Sequence, residues 1–143
     1  MSVPPESQSG GAAAVEIGLA IVFHPGDAGK VLIALRPEGT HLAGYWEFPG
    51  GKVEADETAA ECAIREALEE TGLTVEAVGA LPGAMYEYPG RVVRLHPVLC
   101  RVSPGRTMPE GLHWADAAQL RETRFPPANA PIVDALIDLL NTR

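Results

Sequence analysis

Residues Gly51 to Leu73 read GKVEADETAAECAIREALEETGL. Thr58 to Thr71 is predicted to be a helix, closed by Gly72, the residue type that most readily takes the left-handed turn ending a helix. On a wheel of about 100° per residue, Ala60, Ala63, Ile64, Ala67, Leu68 and Thr71 form one apolar stripe. Glu66, Glu69 and Glu70 form a tight acidic wedge beside it. For a purely structural helix this wedge is electrostatically wrong. Glu66 and Glu70 are like charges at i,i+4, which costs a few tenths of a kcal/mol. All three lie near the C-terminal end, where the macrodipole disfavours each carboxylate by roughly another 0.3–1 kcal/mol. A hard divalent cation bound to their oxygens reverses both terms. The other reading is a solvated acidic face with Arg65 bridging to Glu61 or Glu69.

Around this segment the chain has the composition of one globular domain: 143 residues, 46% hydrophobic and 21% charged. A core of this size needs no disulfide framework. Cys62 and Cys100 have no CxxC spacing and read as small buried hydrophobes. The net charge of −8 argues against binding a nucleic-acid backbone or an anionic membrane, since both attractions come from Lys and Arg. It leaves room for a small phosphorylated ligand bridged by a cation. The apolar run Leu19 to Phe23 is too short to span a bilayer. Met1 to Gly10 has neither a basic start nor an apolar stretch, so a cytoplasmic location is expected.

Fifteen Gly and thirteen Pro predict many turns. Val15 to His24 and Val31 to Arg36 read as a strand hairpin, followed by a loop from Pro37 to Gly51. Leu73 to Ala80, Ala84 to Tyr88 and Arg91 to Val102 read as strands. A short helix is expected near Ala115 to Leu120, and a terminal one over Ile132 to Leu140. Strands, helix, strands, helix in that order suggest a mixed sheet with helices on both faces.

Gly51 is followed after five residues by Glu57, after seven more by Arg65 and Glu66, then by Glu69, Glu70, Gly72 and Leu73. This spacing resembles the Nudix box, G-x5-E-x7-R-E-U-x-E-E-x-G-U with U aliphatic. Eight of the nine fixed or class-restricted positions match; at the ninth, Ala67 stands where a larger aliphatic residue is usual. YWEFPGGK (Tyr45 to Lys52), MYEYPGR (Met85 to Arg91) and FPPANAP (Phe125 to Pro131) are similar to segments of the MutT branch, the oxidised-guanine nucleotide hydrolases of that family. The similarity spans about Ile17 to Leu140.

The resemblance implies an α/β fold, a Nudix-type α/β/α sandwich with a mixed β-sheet between helices. Residues 1–14 are then a flexible tail and 15–143 the domain. It further implies Mg²⁺-dependent hydrolysis, with Mn²⁺ as a substitute, of 8-oxo-dGTP to 8-oxo-dGMP and pyrophosphate by water attack at the β-phosphorus. Such an activity sanitises the nucleotide pool. The expected partner is a small nucleotide, not a nucleic-acid polymer or a membrane, and the expected state is a monomer or weak homodimer. Two alternatives stay open. One is hydrolysis of another nucleotide, either an oxidised pyrimidine triphosphate or a nucleoside diphosphate sugar. The other is a non-catalytic nucleotide-sensing module, against which stands the retention of Glu66, Glu69 and Glu70.

In the box, Glu66, Glu69 and Glu70 are the implied cation ligands, and Glu66 or Glu69 is alternatively the general base. Arg65 orients the carboxylates, since a guanidinium holds one bidentately. Glu57 is either structural or catalytic. The Gly50 carbonyl is an implied ligand, although Pro49-Gly50-Gly51 is also simply a tight turn. Glu110, in the loop before Trp114, is the remaining acidic candidate. Arg36 and His41 match positions that contact the nucleotide. Glu47, Phe48, Pro49 and Gly50 would line the pocket, and Tyr88 would stack on the base; core packing is the other reading of Phe48 and Tyr88. Asn129 carries adjacent acceptor and donor groups, complementary to the O6 acceptor and N7–H donor of 8-oxoguanine. Ordinary guanine has an acceptor at N7 and would leave a group unpaired, a mismatch worth roughly 1–3 kcal/mol. Alternatively Asn129 caps the last helix, with Pro131 in its first turn.

Overall fold

Strand β1 (Ala13–His24) is the spine of the computed structural model, which describes residues 13–142 apart from residue 106. Successive side chains of a strand point to opposite faces, so Leu19 and Ile21 enter one core while Ala20 and Val22 enter another. A strand apolar on both faces has to be covered on both. In sequence order the other strands are β2 (Asp27–Leu35), β3 (Trp46–Glu47), β4 (Gly50–Lys52), β5 (Val75–Ala80), β6 (Ala84–Tyr88), β7 (Arg91–Val102) and β8 (His113–Ala115). Along one edge β1 runs parallel to β7, from Ala13 opposite Arg91 to Phe23 opposite Arg101. Along its other edge it pairs antiparallel with β4 through Ile17–Leu19, and with β2 at the hairpin. Strand β2 carries β8 and β3, and β7 carries β6 on its first half and β5 on its second. The sheet is mixed, with β1–β7 its parallel pair.

Helix α1 (Ala59–Thr71) covers one face, and helices α2 (Ala117–Glu122) and α3 (Ala130–Asn141) belong to the core on the other. The layer under α1 is thin because its residues are small: Ala20, Ala63 and Ala67 are fully buried. A Cβ on Gly18 would stand 2.9 Å from both the Ala59 carbonyl oxygen and the Cys62 Sγ. Ala67, fully buried in the same thin layer, packs in one cluster with Ala20, Ala63 and Leu73. On the far face Ile21, Leu120, Ile132 and Leu136 are buried, each contributing about 1.5–3 kcal/mol.

Several boundaries differ from those expected. Strand β1 starts at Ala13, so the expected tail 1–14 overlaps it; residues 1–12 lie outside the described residues. The loop expected over Pro37 to Gly51 contains β3 and the start of β4, which runs on to Lys52. Helices α2 and α3 begin at Ala117 and Ala130. Both cysteines are free and buried. Among the described residues no helix is long and apolar enough to cross a membrane.

Candidate active site

Helix α1 is fixed at both ends by its own sequence. The Thr58 hydroxyl accepts from the Glu61 amide at 3.0 Å while the Glu61 carboxylate accepts from the Thr58 amide at 2.9 Å. At the other end Gly72, at φ 78°, donates its N–H to the Leu68 carbonyl. Glu61 is thus spent on the cap and is not a partner of Arg65. The Arg65 guanidinium instead reaches back across the loop. It donates to Glu57 from Nε (2.7 Å) and Nη2 (3.0 Å), to Glu66 (2.9 Å) and Glu69 (3.3 Å) from Nη1, and to the Lys52 carbonyl (3.2 Å) from Nη2. The bidentate grip, together with the Glu54 backbone, holds the Glu57 carboxyl down at about 2. The same bond to Glu57 raises Arg65 above its usual range. Glu57 therefore works as the anchor of Arg65.

On the other side of the wedge the electrostatics are reversed. Glu70 is pushed up to about 8, first by desolvation at its carboxyl end, then by its hydrogen bond with Glu66 and the charges of Glu66 and Glu47. The residue as a whole is exposed, so the desolvation is confined to the end turned toward the Gly50 backbone. A Cβ on Gly51 would stand 2.6 Å from the Glu66 carboxyl carbon, so any side chain there would push that carboxylate out of its place beside Arg65. Like-charged carboxylates crowded beside the Gly50 backbone, one driven to keep its proton, form a donor set that fits a hard cation. Glu66, Glu70 and the Gly50 backbone are brought together. Glu69 faces Arg65. Among the described residues no three acidic, His or Cys side chains yet converge as a finished metal cluster. Glu110 lies exposed in the loop after β7, makes no hydrogen bond or ion pair with another described residue, and does not line the neighbouring cavity.

That cavity, of about 300 Å³, opens between the sheet and the loops beside β4. Ile17 and Leu19 of β1 and Val93 and Leu95 of β7 give it an apolar wall. Arg36, His41, Glu47, Phe48, Gly50, Tyr88 and Asn129 all border it. Arg36 donates to Glu47 at 2.7 Å and to the His41 carbonyl at 2.8 Å, so its guanidinium is already engaged. Phe48 is buried and stacks on Phe125 at 5.0 Å, so its ring supports the cavity as part of the core. Pro49 is not in the lining; it is fully buried and its carbonyl accepts from the Ala20 amide at 2.7 Å. The Tyr88 ring meets Tyr86 edge-on and carries the Arg91 guanidinium 5.4 Å from its centroid.

Asn129 is the buried polar side chain of the described residues, 8% exposed. It occupies the N-cap position of α3, yet its side chain makes no cap hydrogen bond. Among the described residues its carboxamide has no hydrogen-bond partner, and the residue borders the cavity. Burying an unpaired amide costs about 1–3 kcal/mol, so the group is poised for a partner from outside the protein. Sequence reasoning missed Arg91, Lys52 and Leu42, which also line the cavity. The signal for Arg91 was its proximity to Tyr88 across the tight turn from β6 to β7, where the two residues pair.

The NUDIX domain family matches the chain over residues 19–135. The CTP pyrophosphohydrolase of Escherichia coli is 30% identical over 132 residues, 90% of this chain and 96% of that protein. The 8-oxo-dGTP diphosphatase of the same organism is 34% identical over 110 residues, 75% of this chain and 85% of that protein. Among solved structures, the solution structure of the E. coli ORF135 protein superposes with a TM-score of 0.76 at 30% identity, covering 96% of this chain and 98% of that one. An α/β/α sandwich, a capped helix bearing the box carboxylates and relatives matched over most of their length agree on one conclusion: the chain belongs to the NUDIX domain family and is a Nudix hydrolase.

Proposed function

We propose that the chain hydrolyses 8-oxo-dGTP to 8-oxo-dGMP and pyrophosphate, with water attacking the β-phosphorus in a reaction that depends on Mg²⁺ and accepts Mn²⁺. The observation that carries this reading is the buried, unpartnered Asn129 carboxamide at the cavity. An acceptor beside a donor, held in a desolvated pocket, pairs with the O6 and N7–H of 8-oxoguanine and leaves a group of ordinary guanine unsatisfied. The Gly50 carbonyl, Glu66, Glu69 and Glu70 would hold the divalent cation, which when bound screens the charge of the phosphate oxygens. Glu66 or Glu69 takes the proton of the attacking water. Arg65, gripped by Glu57, keeps Glu66 and Glu69 in register. Glu110 has no part assigned in this reading.

A second reading is cleavage of a pyrimidine nucleoside triphosphate, favoured by the coverage of the E. coli CTP pyrophosphohydrolase. Cytosine also offers a donor, its N4 amino group, beside an acceptor, and so suits a carboxamide. Anion-exchange chromatography of the products from 8-oxo-dGTP, dGTP and CTP, with and without Mg²⁺, separates the two. For the first reading, Asn129→Ala is expected to lower kcat/KM on 8-oxo-dGTP by roughly ten- to a hundredfold, the equivalent of about 1–3 kcal/mol, and to leave dGTP within about twofold. An equal loss on every nucleotide would remove Asn129 from base recognition. Preference for CTP in the unmodified protein would favour the second reading.

A further inference from the structure

Leu42 adopts φ 59°, in the left-handed region. A branched aliphatic residue rarely sits there, because its Cβ crowds the backbone; Gly and Asn are the usual occupants. The surrounding loop supplies the reason the conformation holds. Arg36 pins it from four directions: its amide donates to the Tyr45 carbonyl (2.8 Å), its carbonyl accepts from Gly44 (3.4 Å), its Nε donates to the His41 carbonyl (2.8 Å) and its Nη1 to Glu47 (2.7 Å). Leu42 itself is bracketed, its carbonyl accepting from the Tyr45 amide at 3.1 Å. Fixing the His41 carbonyl and the Leu42 carbonyl leaves the backbone between them little choice of direction. The result is a half-buried residue held at the border of the cavity.

The chemistry of that position is the second observation. Four residues of the segment from Arg36 to Glu47 border the cavity, and three of them, Arg36, His41 and Glu47, are polar. Leu42 is the apolar one. A flat heterocyclic base needs apolar contact on its faces as well as hydrogen bonds at its edge, and the β1–β7 wall provides such a surface on the sheet side. Backbone strain at a binding pocket persists where the surrounding structure over-determines it, and here it is spent on presenting an isobutyl group.

We propose that Leu42 is a further substrate-contacting residue, the apolar wall that the Arg36-pinned loop holds against the base of the bound nucleotide. This rests on the reading of the cavity as the nucleotide pocket, and it concerns the face of the base, whereas Asn129 concerns its edge. The contact is made equally in ground and transition states, so it acts on KM and not on kcat.

The test is a comparison of Leu42→Ala, which removes the wall, with Leu42→Gly, which removes both wall and strain. Each is assayed on 8-oxo-dGTP, dGTP and CTP beside Asn129→Ala, with Tm measured for every variant. Both Leu42 variants are expected to raise KM about tenfold on whichever nucleotide is cleaved best, with kcat within about twofold. Leu42→Gly is expected to melt no lower than Leu42→Ala, because it releases the left-handed strain. A KM unchanged in both variants overturns the inference, as does a fall in kcat that tracks a fall in Tm, which marks Leu42 as a plug for the loop. If Asn129→Ala lowers all three nucleotides alike while the Leu42 variants raise KM, the base-edge reading fails and the wall stands. No turnover of any nucleotide by the unmodified protein refutes both.

Discussion

Two carboxylates of the same loop-helix unit titrate in opposite directions, and each has a visible cause. Glu57, gripped by Arg65, stabilises the fold in its ionised form; that contribution is present above the ordinary carboxylate value and is lost as the pH falls toward about 2. Glu70, desolvated at its carboxyl and crowded by Glu66 and Glu47, stands at about 8 against an ordinary 4.5, so the folded chain holds its proton more tightly than the unfolded chain does. Its contribution is fully present below about 4.5 and disappears as the pH rises through about 8. The Tm of metal-free protein is therefore expected to carry a downward slope across that window, and Glu70→Gln to flatten it. Added Mg²⁺ is expected to raise Tm most at the alkaline end, where the carboxylates are ionised and repel. A melting series in EDTA and in Mg²⁺ reads all three. A metal-free Tm with no slope, unaltered by Glu70→Gln, would mean that this carboxyl is not forced to keep its proton.

At the scale of elements, α1 shows why part of this molecule could be read in advance. Its N-cap Thr58, its capping partner Glu61, its apolar stripe and its terminal Gly72 all lie within one short run, so local spacing determines it. Thr58→Ala removes a side-chain acceptor from the first turn and is expected to cost about 1 kcal/mol, or about 3 °C in Tm, as calorimetry would register. Strands β3 and β4 are the contrary case. Trp46–Glu47 and Gly50–Lys52 are too short to carry a periodic signal, and they are strands only because β2 and the distant β1 provide edges for them. The cavity residues divide the same way. Asn129 was legible through its segment, while Leu42 was not, since its position comes from hydrogen bonds made by Arg36. Glu110 was chosen for its charge, but where it ends up depends on the path of a long loop that spacing does not encode.

For the molecule as a whole, the two cores meet at β1, and each free thiol reports on the core beneath α1. Cys62 and Cys100 are both fully buried, and burial raises both thiols, Cys100 to about 12. Neither is expected to react with iodoacetamide except through opening of the fold, and Mg²⁺ is expected to slow labelling of both in parallel. Mass spectrometry resolves the two sites. Faster labelling of Cys62 would show that α1 lifts from the sheet before the sheet itself opens. The long parallel pairing of β1 with β7 also has a consequence at birth. Glu16 and Arg94, partners across that pair, are 78 residues apart in sequence. At a ribosomal pace of about 5–20 residues per second, β1 waits roughly 4–16 s for the strand that completes it. During that interval the edge of Leu19 to Val22 is bare, so slowing synthesis lengthens the window for wrong pairing, and cooler, slower expression gives no automatic gain in yield.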